Sequence, residues 1–128
     1  MPSATTASSA AAAAGFAHTS LDAHRIALEA LARGDAIARR LPRGYGPLRD
    51  QLSRALQSAY LQTAEGAAKS GADRRARLGS ARAEAGEAAA ALEAVVALGL
   101  GSRIESRAVI VLLSRLCATL TGLRKVAG

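Results

Sequence analysis

Apolar positions recur at helical spacing in four segments, and each segment is bounded by residues that start or stop helices. In the first, Leu21, His24, Leu28 and Leu31 form one stripe at steps of three and four, with Ile26, Ala30 and Ile37 on a neighbouring stripe. Two stripes imply two packing partners. Ser20 is placed to cap this helix, Asp22 sits in its first turn, and Pro42 ends it at Leu41 by disfavouring helical geometry in the residue before it. The turn-rich stretch from Pro42 to Pro47 follows, with Pro47 suited to open the next helix. That second helix aligns Leu48, Leu52, Ala55 and Ala59, flanks them with Leu56, Tyr60, Thr63 and Ala67, and runs to about Lys69.

Ser70-Gly71-Ala72 forms a pivot, and a third helix opens near Asp73. Its seam is the cleanest in the chain: Leu78, Ala81, Ala85, Ala88, Leu92 and Val95 alternate steps of three and four. Small residues at the centre of that seam admit a neighbouring backbone, and Gly99 provides a left-handed end. The fourth helix begins between Ser102 and Glu105 and aligns Val109, Leu113, Leu116, Leu120 and Leu123, with Ile110, Leu112 and Cys117 widening the apolar arc. So broad an arc predicts that part of it faces another subunit.

Short connections between four such helices predict an all-α fold, an up-down-up-down antiparallel four-helix bundle spanning residues 20–128. A helical hairpin that dimerises is the structural alternative. Residues 1–19 are rich in Ala, Ser and Thr and contain no Lys or Arg, so they make a poor signal peptide and read as a flexible tail. No run of eighteen consecutive apolar residues occurs, which gives no support for a membrane span, and a single cysteine inside an apolar run makes a reducing cytoplasm the expected location. At 128 residues the chain suits one domain, and its alanine-rich helices bury modest area each, so self-association is expected to add stability.

Charge adds a second theme. The net charge is +7 and the isoelectric point about 11.0, a balance that favours polyanions or an acidic partner protein. Of the 17 basic residues only Lys69 and Lys125 are lysines, an arginine bias that GC-rich coding would also produce. Arg43, Arg49, Arg54, Lys69, Arg74, Arg75 and Arg77 lie in or near the loops flanking the second helix and form the candidate nucleic-acid-binding set. Phosphate contacts need only positive charge at suitable spacing, and a solvated face explains the same residues equally well. Tyr60 falls among core positions, which leaves Tyr45 as the one exposed ring for stacking. Structured RNA or DNA gripped by its backbone is therefore the expected ligand rather than a single strand. A shared surface for these cations favours binding, whereas scattered cations paired with carboxylates favour a purely structural oligomer.

Catalytic constellations do not appear. His18 and His24 lie in or beside the first helical turn without partners at ligand spacing, Cys117 is the lone cysteine, and no phosphate loop or nucleophile elbow occurs. No enzyme activity, cofactor or metal is expected. Glu65 and Arg82 are singled out as a structural polar pair: a hairpin pivoting near Gly71 sets Glu65 roughly opposite Arg77, with Arg82 a little further along and within side-chain reach.

Leu41-Pro42, the run from Leu48 through Ala55, Ala64-Glu65-Gly66 followed by Ala67-Ala68-Lys69-Ser70, and Ala81-Arg82 followed by Glu84, Glu87 and Leu92 together resemble a bacterial family. It comprises the small four-helix-bundle proteins encoded in intervening sequences of 23S ribosomal RNA genes, and the resemblance covers roughly residues 21–126. The family's usual Asn-Ile-Ala-Glu-Gly stands here as Gln62-Thr63-Ala64-Glu65-Gly66, and its common aromatics in the third helix are absent. The resemblance implies a non-enzymatic up-down bundle assembled as a ring-like homopentamer. Relatives that serve retroelements bind nucleic acid and a reverse transcriptase, so it also implies a protein-binding adaptor as an alternative.

Overall fold

A computed structural model describes residues 4–126, with side chains from residue 15 onward. Four helices account for nearly all of it: α1 (Ala4–Arg39), α2 (Gly46–Ala68), α3 (Gly71–Ala97) and α4 (Arg103–Val126). Their ends follow local chemistry. Pro47 lies in the first turn of α2, where its missing N–H is of no consequence. Gly71, Gly99 and Gly101 adopt φ of 58°, 67° and 60°, so the α2–α3 and α3–α4 connections turn through the left-handed region that glycine enters without a Cβ clash. At the start of α4, the Ser102 hydroxyl accepts a hydrogen bond from the Glu105 N–H at 3.1 Å.

Each helix packs against two neighbours: α1 lies against α2 and α4, and α3 against α2 and α4. Cross-helix contacts set every neighbouring pair antiparallel. His24 meets Tyr60 between α1 and α2, Gln62 meets Arg77 between α2 and α3, Cys117 meets Arg82 between α3 and α4, and Arg33 meets Glu105 between α1 and α4. The result is the up-down-up-down antiparallel four-helix bundle.

The core is made of leucines against alanines. All six residues of the α3 seam, Leu78, Ala81, Ala85, Ala88, Leu92 and Val95, are buried, as are Val109, Leu113, Leu116, Leu120 and Leu123 of α4. Two glycines set helix spacing. A Cβ on Gly34 would lie 2.5 Å from Leu56 Cδ1, and one on Gly66 would lie 2.8 Å from Leu78 Cδ2, so each leucine occupies the place of a side chain on the opposing helix. Gly66 is therefore a close-packing device between α2 and α3, and Gly34 does the same for α1.

Several expectations change. Helix α1 does not begin after Ser20 but runs unbroken from Ala4, because the run Ala10 to Ala14 has the highest helix propensity available and outweighs the capping potential of Ser20. Residues 1–3 of the proposed tail lie outside the described residues, while Phe16 packs on the core and so belongs to the bundle. On α1 the buried stripe is Ala23, Ile26, Ala27, Ala30, Ile37 and Ala38, whereas Leu21 and Leu28 are 47% and 45% exposed. Small residues win the inner face because α2 comes close there. Tyr60 is only half buried, and so is Tyr45, which is therefore not a freely exposed stacking ring.

The broad arc of α4 is largely taken up within the chain, with Leu112 buried and Ile110 and Cys117 packed against the core. By length and composition α4 could cross a membrane, with a mean hydropathy of 1.4 in its most apolar stretch, of which 39% is buried in the bundle. Ser114 and Arg115 interrupt its apolar run, which is why an unbroken-run criterion passes over it.

Leu92→Asp is expected to cost on the order of 5 kcal/mol by placing an unpaired carboxylate among fully buried residues, enough to abolish cooperative unfolding. Thermal melting followed by circular dichroism checks this. A variant that retains the wild-type transition would show that the α3 seam is not the core.

Candidate nucleic-acid interface

The cations divide between the two ends of the bundle, and the division follows from helix direction. One end gathers the C-terminus of α1, the N-terminus of α2, the C-terminus of α3 and the N-terminus of α4. There three of the arginines are engaged, while Arg40, Arg103 and Arg107 have no carboxylate within 4.0 Å among the described residues. Arg33 pairs with Glu105 through two hydrogen bonds of 2.8 and 3.1 Å and with Glu29 at 3.2 Å, and Arg39 pairs with Asp35 at 2.8 Å. Arg49 Nη2 donates to the Leu41 carbonyl at 2.8 Å, holding the chain where α1 has ended. Arg43 is exposed in the connecting loop.

The opposite end collects the C-termini of α2 and α4 and the N-terminal part of α3. Lys69, just past α2, is exposed and donates its backbone N–H to the Gly66 carbonyl. Arg74 is held structurally: its guanidinium lies over the Phe16 ring at 4.1 Å and Nη2 donates to the Ala67 carbonyl at 3.4 Å. Arg77 faces α2, pairing with Glu65 at 3.3 Å and donating to Gln62 Oε1 at 3.4 Å. Arg75 faces the other way, toward α4. There Arg75, Arg82, Thr121, Arg124 and Lys125 line a cavity of about 320 Å³ with no carboxylate in its wall among the described residues.

The seven candidate binding residues therefore do not form one surface. Arg43 and Arg49 stand at one end, and Lys69, Arg74, Arg75 and Arg77 at the other, about 30 Å away along α2. Arg54 lies between them, donating to the Gln51 side chain, which itself donates to Glu87 at 3.3 Å. The proposed polar pair is corrected as well: Glu65 pairs with Arg77, not Arg82. Five residues rotate a helix by about 140°, so Arg82 points toward α4 when Arg77 points toward α2. Arg82, Arg124 and Lys125 were not among the candidate binding residues. The shared stripe of Arg75 and Arg82, seven residues apart, was the signal available for one of them. Arg124 and Lys125 join them only through the antiparallel register of α3 and α4.

Neither any protein-family model nor any curated protein matches the chain. The geometry of the side chains is thus what bears on function.

Three other polar features complete the picture. His24 Nε2 and the Tyr60 hydroxyl lie 3.1 Å apart with their rings tilted, a bridge between α1 and α2. Among the described residues, no three His, Cys, Asp or Glu side chains converge on a possible metal position. The Cys117 thiol donates to the Arg82 carbonyl at 3.7 Å, and burial pushes its pKa up against the opposing charge of Arg82, which disfavours the nucleophilic thiolate.

The Arg33 hydrogen bonds hold the Glu105 carboxyl below the usual carboxylate range, and the same contacts hold Arg33 firmly protonated. Because the folded-state pKa of Glu105 is depressed, its contribution is present above the unfolded carboxylate pKa and is lost as pH falls through the folded value. Glu105→Gln is expected to narrow the fall in melting temperature between neutral and acidic pH. An unchanged acid dependence in that variant would remove Glu105 from the acid response.

Proposed function

We propose that this protein is a non-enzymatic, self-associating bundle that binds the backbone of structured RNA or DNA at the α2–α3 end. The observation that carries the reading is the charge at that end: among the described residues, Lys69, Arg82, Arg124 and Lys125 have no carboxylate within 4.0 Å. Cations gathered at one end create a local positive potential that attracts a polyanion and weakens with salt. Tyr45 and Tyr60 are half buried, so stacking on bases contributes little and the sugar-phosphate backbone is the better target. Resemblance to the intervening-sequence family supports a cytoplasmic homopentamer, in which several copies of the basic end would act together.

A protein-binding adaptor is the second reading. It is favoured by the exposure of Leu21 and Leu28 on α1 and Leu61 on α2, the last 54% exposed, since exposed leucines suit a partner or a second copy.

Affinity for an RNA duplex is expected to fall with salt, by about 0.9 logarithmic units per tenfold increase in salt for each phosphate contacted. Lys69→Glu combined with Lys125→Glu is expected to weaken binding at least tenfold at low salt while leaving the melting temperature near wild type. Fluorescence anisotropy across a salt series measures both. Absence of binding at low salt, or affinity independent of salt, overturns the reading, and a partner protein captured without nucleic acid would favour the adaptor.

A further inference from the structure

We propose that the cavity between α3 and α4 is a phosphate clamp, formed by Arg82, Arg124 and Lys125 and seated by Gly79 and the Arg75 carbonyl. The inference deepens the nucleic-acid reading by naming its anchoring site, yet it stands on local geometry that is independent of any polymer.

Gly79 is the unexpected element. It lies inside α3, where glycine is less favourable than alanine, and it makes no turn. Its use is visible across the groove: a Cβ at this position would lie 3.2 Å from both Nε and Cζ of Arg124 and 3.3 Å from Nη2. The missing side chain is the space in which the guanidinium rests. Arg124 is then fixed by one further contact, Nε donating to the Arg75 carbonyl at 3.2 Å, which leaves the donors of its terminal nitrogens for a ligand. An arginine so placed is already oriented, so less conformational freedom is lost on binding.

The rest of the lining selects the ligand's charge. Among the described residues, neither Arg82 nor Lys125 has a carboxylate within 4.0 Å, and none lines the cavity. Thr121 directs its hydroxyl proton to the Cys117 carbonyl at 2.8 Å, so the donors offered to a ligand are cationic. Three cationic side chains, Arg82, Arg124 and Lys125, around about 320 Å³ exceed what one carboxylate neutralises, whereas a phosphate presents several oxygens and more negative charge to guanidinium forks and an ammonium. The phosphate can come from a nucleic-acid backbone or from a free phosphorylated molecule.

Calorimetric titration of the full chain with pyrophosphate, and separately with a short RNA duplex, tests the clamp. Pyrophosphate is expected to bind at low salt. Gly79→Ala should weaken it severalfold while the melting temperature holds or rises, since alanine favours the helix but displaces the guanidinium. Arg82→Gln with Arg124→Gln should lose about tenfold or more for both probes. Arg25→Gln, which removes a charge on α1 away from the groove, should leave pyrophosphate affinity unchanged. Unaltered pyrophosphate affinity in Gly79→Ala, or RNA binding that survives the double arginine change, overturns the clamp, and the latter leaves the nucleic-acid reading standing. Pyrophosphate binding that is lost in the double variant, without RNA binding by the wild type, supports the clamp and removes that reading.

Discussion

Close approach of helix backbones through small side chains is the constraint on which this bundle rests. Ala81, Ala85 and Ala88 leave the centre of α3 almost without side-chain bulk, and all three are completely buried. Leucines from neighbouring helices fill the space, and at Gly34 and Gly66 they enter positions that even a methyl group would contest. Such packing is unforgiving because interiors are as dense as organic crystals, and a single added carbon must displace something. Helix spacing, and with it the register of every cross-helix contact, is set by these positions.

Arginine supplies the long side chains that the core lacks. Arg49 reaches the carbonyl of Leu41 and Arg74 that of Ala67, so each steadies the chain at or just beyond the end of the preceding helix. Arg33 ties α1 to Glu105 on α4, and Arg77 ties α3 to Glu65 on α2. Structural arginines thus stand at both ends of the molecule. At the α3–α4 groove the same residue type converges with no carboxylate in the lining among the described residues, and that contrast separates a role in folding from a surface available to an anion. Glycine follows the same division, since Gly66 admits a leucine of the core while Gly79 admits an arginine of the surface.

The α3 seam was legible residue by residue, because steps of three and four along an isolated helix already define one face. The same is true of the principal row of α4 and the glycine turns. On α1 the stripe of Ile26, Ala30 and Ile37 was legible, but Leu21 and Leu28 misled: hydrophobicity ranks them above Ala23 and Ala27, whereas the close approach of the neighbouring helices favours the alanines on the inner face. Its start was equally hidden, since a serine able to cap a helix competes with an alanine run that continues one.

The amino-acid order by itself determined four amphipathic helices, their antiparallel sequence and an excess of arginine, because periodicity, turn residues and charge are local properties. The tertiary structure alone decided which arginines meet. Arg77 and Arg82 differ by five residues and face different neighbours, while Arg75, Arg82, Arg124 and Lys125 come from opposite ends of the α3–α4 hairpin to line one cavity. Helical rotation separates near neighbours and antiparallel register joins distant ones, so the charged groove exists only once α3 and α4 are packed.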